Sequence, residues 1–408
     1  MAPYKPNKRI GHTATLIDNK LYILGGFSAG HVGKDFFYLD VSVSFNTQNL
    51  PWNDLSNINI VPSHSDAATV KGGASNSSLF LYGGANDTVT DFLVYIFNPQ
   101  GDSWNIPKIT GNTPVRKSKL TGIIDHTGIM YLWGGYNEDI NVDVSDVNDM
   151  LILDTINLVW GKGSLVGVPT VREYYGGTLL ANNNIIYMGG YDSYNGKELT
   201  LNQMTSGEIP SGRDSFSIVL GLDGQRVIIF GGSATKDLTP EDSLYELNLI
   251  NFEWRIPKVF GQIPESRMNH KANVIGKYMV ISFGYGYDNI PTESDILLLD
   301  ISNVDEYIWT NEFYPLPPPL PPSPSSPPLS TSTLNKLPSS ISKSSIPSSA
   351  TLPTTTVIGA IIGTLFGAAL LSFGGFYLYK NKCRDDNNQV EKNIDTHGQE
   401  IVQLHDLQ

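Results

Sequence analysis

Residues 21–26 read Leu-Tyr-Ile-Leu-Gly-Gly, a short apolar run closed by two glycines. The pattern returns at Tyr82-Gly83-Gly84, Trp133-Gly134-Gly135, Met188-Gly189-Gly190 and Phe230-Gly231-Gly232, and in degraded form at Phe283-Gly284-Tyr285-Gly286. Successive spacings are 58, 51, 55, 42 and 53 residues, the last measured to Gly284. Self-similarity with a period near 50 points to an array of repeated β-sheet units. Glycine at the same place in each unit allows positive φ and lets neighbouring backbones approach closely.

Each unit carries further matching features. Proline precedes a basic residue by three positions at Pro6 and Arg9, Pro169 and Arg172, Pro210 and Arg213, and Pro264 and Arg267. The third unit offers Pro114 with Arg116 and Lys117, and the second departs with Pro62 and Ser65. After the diglycine and a polar loop comes a third apolar run, as at residues 36–39, 92–97, 150–153, 244–247 and 296–299, ending in Asp40, Asn98, Asp154, Asn248 and Asp300. A tryptophan follows: Trp52, Trp104, Trp160, Trp254 and Trp309. Runs of four to seven strand-forming residues bounded by turn formers read as about four short strands per unit. Asp or Asn before Trp suits a tight hairpin between strands three and four. One such sheet has two apolar faces and cannot cover both; a radial array covers every face and leaves short edges.

These motifs resemble the kelch repeat over residues 1–314. The resemblance implies an all-β, six-bladed propeller, with Gly25, Gly26, Gly83, Gly84, Gly134, Gly135, Gly189, Gly190, Gly231 and Gly232 and the five tryptophans as its structural marks. The fourth unit lacks a tryptophan, and only eight residues separate Asn202 from Pro210. The spacing predicts a third strand at residues 199–202 and a missing outer strand.

The remainder of the chain differs in composition. Residues 315–356 are Pro, Ser, Thr and Leu, an extended stalk with the look of an O-glycosylated segment. Residues 357–379 contain no charge, and Lys380, Lys382 and Arg384 follow directly. This reads as a single-pass transmembrane helix with residues 380–408 as a short cytosolic tail and the propeller outside or in a lumen. Met1 to Ile10 shows no signal peptide, a conflict resolved either by a truncated amino terminus, which the charge flanks and the stalk favour, or by a tail-anchored chain with a cytosolic propeller. Gly359, Gly363 and Gly367 lie four apart, a spacing suited to helix dimerisation. Cys383, the only cysteine, is a lipidation candidate. Asn76 and Asn86 stand in glycosylation sequons.

For function, the kelch resemblance also brings to mind galactose oxidase, but that likeness is one of fold. The family's copper site needs a cysteine-linked tyrosine and two histidines, and residues 1–314 have no cysteine. His12 and His270 each fall three residues after the repeat arginine, and no histidine pair has metal-ligand spacing. The acidic loop 137–149 reads as a solvated connection rather than a calcium loop, since it lacks the glycine of an EF-hand. A net charge of −13 argues against nucleic acid. The reading is therefore a non-catalytic, membrane-tethered interaction module with no cofactor, binding a protein or glycan. A mutarotase-like propeller enzyme using a channel Glu or Arg is the alternative. Arg9, Arg116, Arg172, Arg213 and Arg267 are placed at one propeller mouth and could bind acidic groups, or else pair with neighbouring carboxylates and carbonyls. The unlike loops after the diglycines, at 27–35, 85–91, 136–148, 191–197 and 233–242, are the other binding candidates.

Overall fold

The computed structural model describes residues 4–317 and 399–403, apart from 29, 87–91, 139–147, 165–168, 203–204, 235–237, 240–241 and 287–294. Residues 318–356 of the proposed stalk, the uncharged 357–379 stretch with Gly359, Gly363 and Gly367, and Cys383 lie outside the described residues. Among those described, no helix is long and apolar enough to cross a membrane, and one 3-10 turn at Ser56–Ile58 is the sole helix.

The remaining regular secondary structure among the described residues is β-strand. The first sheet orders Thr13–Ile17, Lys20–Leu24, Phe36–Asp40 and Trp52–Asp54. The second orders Ala68–Gly72, Ser78–Tyr82, Val94–Asn98 and Ser103–Asn105. The third orders Gly122–Ile124, Ile129–Trp133, Met150–Asp154 and Val159–Lys162. The fifth orders Ser217–Leu220, Arg226–Phe230, Leu244–Asn248 and Glu253–Arg255; the sixth, Lys271–Ile275, Tyr278–Ser282, Ile296–Asp300 and Tyr307–Thr310. Two-residue segments add a parallel outer strand to each of these last two: Ser206–Gly207 and Val259–Phe260. The meander within each unit follows from its tight turns. Asp40, Asp154, Asn248 and Asp300 each accept a backbone N–H two residues on through the side-chain oxygen, which closes the hairpin to the outer strand.

The second strand of each sheet is apolar on both faces because both faces are covered. Leu21 to Leu24 and Val227 to Phe230 are all essentially buried. Consecutive sheets share one core between them, and the sixth shares a core with the first: Leu21, Ile23, Phe37 and Trp52 pack with Tyr278, Val280, Phe283 and Ile296. A short pairing of Glu312–Phe313 with Phe45–Asn46 adds to that seam. Kelch-type propeller architecture follows from this closure.

The tryptophans lie on the outer strands and reach back to the preceding sheet. Trp104 meets Phe36, Trp160 meets Tyr82, Trp309 meets Phe230, and Trp52 stacks on Phe283 at 5.6 Å. Trp254 donates its indole N–H to the carbonyl of Leu201 at 3.2 Å.

The fourth sheet departs from expectation. It contains Gly176–Leu179 and Asn184–Met188, and the place of a third strand is taken by Gln399–Gln403, antiparallel to Asn184–Met188. Residues 199–202 are not a strand: the N–H of Leu199 turns to the carbonyl of Gly190 at 2.8 Å, and Leu201 is buried against the fifth sheet. The short connection to Pro210 leaves too little chain to build a hairpin there.

Candidate functional site

The repeat arginines sit inside the wall. Arg9, Arg172, Arg213 and Arg267 are at most 2% exposed. Each donates through Nη1 to the carbonyl at the first diglycine position of its own unit: Gly25 at 2.9 Å, Gly189 at 3.1 Å, Gly231 at 3.2 Å and Phe283 at 3.0 Å. Arg9 also pairs with Asp35 at 2.8 Å. Of the two readings of these arginines, burial tells against a ring that binds at the mouth and fits pairing with neighbouring carbonyls and, for Arg9, a carboxylate.

Arg116 does not share this place. The residue equivalent to Arg9 in the third unit is Lys117, fully buried and paired with Asp149 as Arg9 is with Asp35. In the second unit the position is held by His64, 2% exposed. Arg116 lies one step off register and donates to the carbonyls of Gly83 at 3.2 Å and Phe92 at 2.6 Å.

The same six residues explain the second glycine. The N–H of Gly26 donates to the carbonyl of His64 in the next unit, Gly84 to Lys117, Gly135 to Arg172, Gly190 to Arg213, Gly232 to Arg267, and Gly284 back to Arg9, all within 2.8–3.1 Å. A Cβ on Gly83 would stand 2.2 Å from the carbonyl oxygen of Lys117. The last unit places Phe283 at the first position, with φ of +50°. Its ring fills the closing seam between His12, Phe37 and Trp52. An aromatic side chain at positive φ is strained, and these contacts offset the cost.

Two residues beyond each of these positions the backbone again turns left-handed, at Gly11, Asp66, Lys119, Tyr174, Ser215 and Asn269, with φ between +53° and +59°. Their main chains form a closed hydrogen-bonded circle. Asp66 N–H donates to Gly11 O at 2.6 Å, and Lys119 to Asp66, Tyr174 to Lys119, Ser215 to Tyr174 and Asn269 to Ser215 at 2.9 Å each, while Gly11 returns to Asn269 at 3.3 Å. This collar rims a cavity of about 250 Å³ whose wall is the innermost strands.

The side chains at the collar are unlike one another. Lys119 Nζ is 3.1 Å from Glu173 Oε2 and lies 4.3 Å over the ring of Tyr136 and 5.3 Å over that of Tyr174. Burial raises the Asp66 carboxyl, with the charge of Lys271 opposing the rise, and burial lowers Lys271. Asp214 is pushed up to about 6, first by burial and then by Glu198 and Glu173, although Ser215 Oγ donates to it at 2.6 Å. No Glu or Arg is among the residues lining the cavity, and no group of His, Cys, Asp and Glu among the described residues is placed to hold a metal. His12 and His270 are structural: their Nε2 atoms meet Ser282 Oγ at 2.9 Å and Ser217 Oγ at 2.8 Å, each bridging to the preceding sheet in the ring. The collar residues were not legible as a motif because their types differ; the signal was their fixed offset of two from the buried Arg, His or Lys.

The KLHDC2/KLHL20/DRC7 kelch-repeats domain matches residues 11–204 and 195–324. The chain belongs to this kelch-repeat family. Kelch domain-containing protein 3 of Bos taurus is 25% identical over 339 residues, covering 72% of this chain and 85% of that protein. The Rab9 effector protein with kelch motifs of Xenopus laevis is 24% identical over 45% of this chain and 50% of its own length. Among solved structures, that of YjhT has a TM-score of 0.56 at 14% identity, covering 76% of this chain and 99% of its own. That likeness concerns the kelch propeller fold alone. Asn76 lies in an exposed turn, and the sequon at Asn86 runs into residues outside those described.

Proposed function

We propose that this kelch protein is a six-bladed propeller that binds a protein partner at the collar-rimmed mouth, without catalysis, and is held to a membrane by residues 357–379. One observation carries the binding site. At the buried position the units repeat, with Arg in four of them; two residues on, in the same backbone conformation, stand Gly11, Asp66, Lys119, Tyr174, Ser215 and Asn269. Repetition marks what the ring needs to close. Divergence at the next equivalent position supplies an asymmetric surface with charges of both signs and an aromatic rim, as a specific protein surface requires. The relative named as a Rab9 effector supports a protein partner over a glycan. The tether rests on the uncharged 23-residue run and its basic flank, with residues 315–356 as a spacer and the propeller outside or luminal.

The test is proximity labelling from the full chain on intact cells, beside Lys119→Glu. The variant should remain folded, with a melting temperature lowered by loss of the Glu173 pairing, and lose the labelled partner. An unchanged labelled set would overturn the mouth as the site. Turnover of sugars by the purified chain would overturn the non-catalytic reading, and labelling confined to cytosolic proteins would overturn the orientation.

A further inference from the structure

We propose that Lys271, in the cavity wall beneath the collar, is a covalent capture site that takes a small hydroxyaldehyde as an imine. The site goes beyond the protein partner proposed for the mouth, and neither depends on the other.

The repeat sets the position. Four residues past the buried Arg, Lys or His, the units carry Thr13, Ala68, Thr121, Gly176, Ser217 and Lys271. All six line the cavity of about 250 Å³. Five are small, and one carries an amine. Among the described residues that amine has no hydrogen bond and no ion pair; the charge that acts on it is that of Asp66, which lines the same cavity. The Asp66 carboxyl lies over the bare backbone of the first unit's collar residue: a Cβ on Gly11 would stand 2.6 Å from Oδ1. Glycine there makes room for the carboxyl. Hydroxyls and amides of Thr13, Thr69, Asn269 and Asn273 complete the wall nearby.

The surroundings favour the neutral forms of both groups. Burial opposes the positive charge of Lys271 and the negative charge of Asp66. His12 and His270 are held neutral chiefly by burial, with the repeat arginines and then Lys271 adding to it. Lys119 and Glu138 act on Asp66 in opposite senses and more weakly than Lys271. An unprotonated lysine is a nucleophile suited to a carbonyl carbon. Its Nζ lone pair adds to the aldehyde carbon as the C=O π pair moves to oxygen. Two protons then leave nitrogen and two reach oxygen, both by way of Asp66, which ends protonated as it began. Water departs as the C=N bond forms, so amine and aldehyde give imine and water. The cavity's size restricts the ligand to a small aldehyde, and its polar wall selects one that bears hydroxyls. Capture is reversible and turns nothing over.

The test treats the full chain at neutral pH with glyceraldehyde and sodium cyanoborohydride, which reduces an imine to a stable secondary amine, and reads each lysine by peptide mass spectrometry. Lys271 should be labelled roughly tenfold faster than the exposed Lys34 and Lys108. Asp66→Asn should slow labelling at Lys271 by a similar factor and shift its pH profile, with Lys34 and Lys108 unchanged. Propionaldehyde, without hydroxyls, should lose the preference for Lys271. Labelling of Lys271 no faster than that of the exposed lysines would overturn the site. A rate at Lys271 indifferent to Asp66→Asn would overturn the proton carrier, and equal preference for propionaldehyde would overturn the hydroxyaldehyde. The mouth reading would survive each of these, since Lys119→Glu decides it by partner labelling.

Discussion

The fourth and fifth sheets stand side by side, share a core, and hold it by different means. The fifth has its own third and outer strands, and Trp254 on the outer strand reaches back to Leu201. The fourth has no tryptophan to reach back to the third. The gap is met from the other side. Trp133, just before the diglycine of the third unit, packs on Tyr175 at 5.0 Å and Tyr187 at 4.9 Å. In the other units that place is taken by Leu24, Tyr82, Met188, Phe230 or Ser282. The lesson is that the seam, not the sheet, is the unit of stability. A sheet that loses its outer half stays in the ring if its neighbour's side chain grows to fill the seam.

The largest effect tests whether the fourth sheet is bound into the ring as firmly as the second. Gly189 has φ of +54° and a Cβ there would lie 2.5 Å from the Arg213 carbonyl oxygen; the values for Gly83 are +70° and 2.2 Å from Lys117. Gly83→Ala and Gly189→Ala should each destabilise by about 4 kcal/mol, since the alanine strains φ and also breaks the bond from the second glycine to the next unit. Denaturant unfolding of both variants checks this. A tolerated Gly189→Ala beside an unfolded Gly83→Ala would mean the fourth sheet is only loosely held.

Next is the seam itself. Trp133→Ala should cost about 4 kcal/mol and Trp160→Ala nearer 3 kcal/mol. Trp133 is fully buried with two tyrosines on it and no second tryptophan, whereas Trp160 is 7% exposed and leans on Tyr82. Equal losses in thermal unfolding would break the compensation argument.

How much of this could be read from residue order depends on repetition. The diglycines, the apolar second strands and the tryptophans recur, so their places were legible. Three things were not. Lys117 takes an arginine's role with Arg116 beside it as a decoy, and the distinction lies in which one meets Asp149. Phe283 holds a glycine position because an aromatic contact outweighs backbone strain, which spacing alone does not show. The collar residues share a conformation but no chemistry, so a reading by residue type passes over them. The short connection of the fourth unit pointed to a missing outer strand, but not to the loss of the third strand expected at residues 199–202, whose place is taken by Gln399–Gln403 from nearly two hundred residues away.

A third prediction concerns pH at the fourth and fifth sheets' shared rim. Asp214 has its folded value raised to about 6 from an ordinary 3.8, so the folded state holds a proton there that the unfolded chain has released. Its contribution is present below about pH 4 and is lost as pH rises through 6. Three buried histidines act in the opposite sense. Burial lowers His64 to about 4 and His270 to about 3, and lowers His12 as well, so their contribution is lost as pH falls below the ordinary histidine value. The difference between Asp214→Asn and the parent isolates the carboxyl. The variant should gain about 2 kcal/mol relative to the parent between pH 4 and pH 7. A flat difference would show Asp214 solvated and the acidic rim looser than its contacts imply.

The smallest effect compares two arginines at equivalent places. Arg9 has Asp35 within 2.8 Å, the arrangement in which a lysine already serves at Lys117 with Asp149. Arg172 donates to the Gly189 carbonyl at 3.1 Å and, by Nε and Nη2, to the carbonyl and hydroxyl of Thr170 at 3.0 Å and 2.9 Å, oxygens that a planar fork reaches together and a single ammonium does not. Arg9→Lys should therefore cost about 1 kcal/mol and Arg172→Lys about 2 kcal/mol, because the second leaves acceptors unmet in a buried site. Neither should alter partner capture, since neither side chain reaches the mouth. If Arg172→Lys kept its stability and lost the partner, the arginine would belong to recognition after all, and the division between a repeated wall and a divergent collar would have to be redrawn one residue deeper.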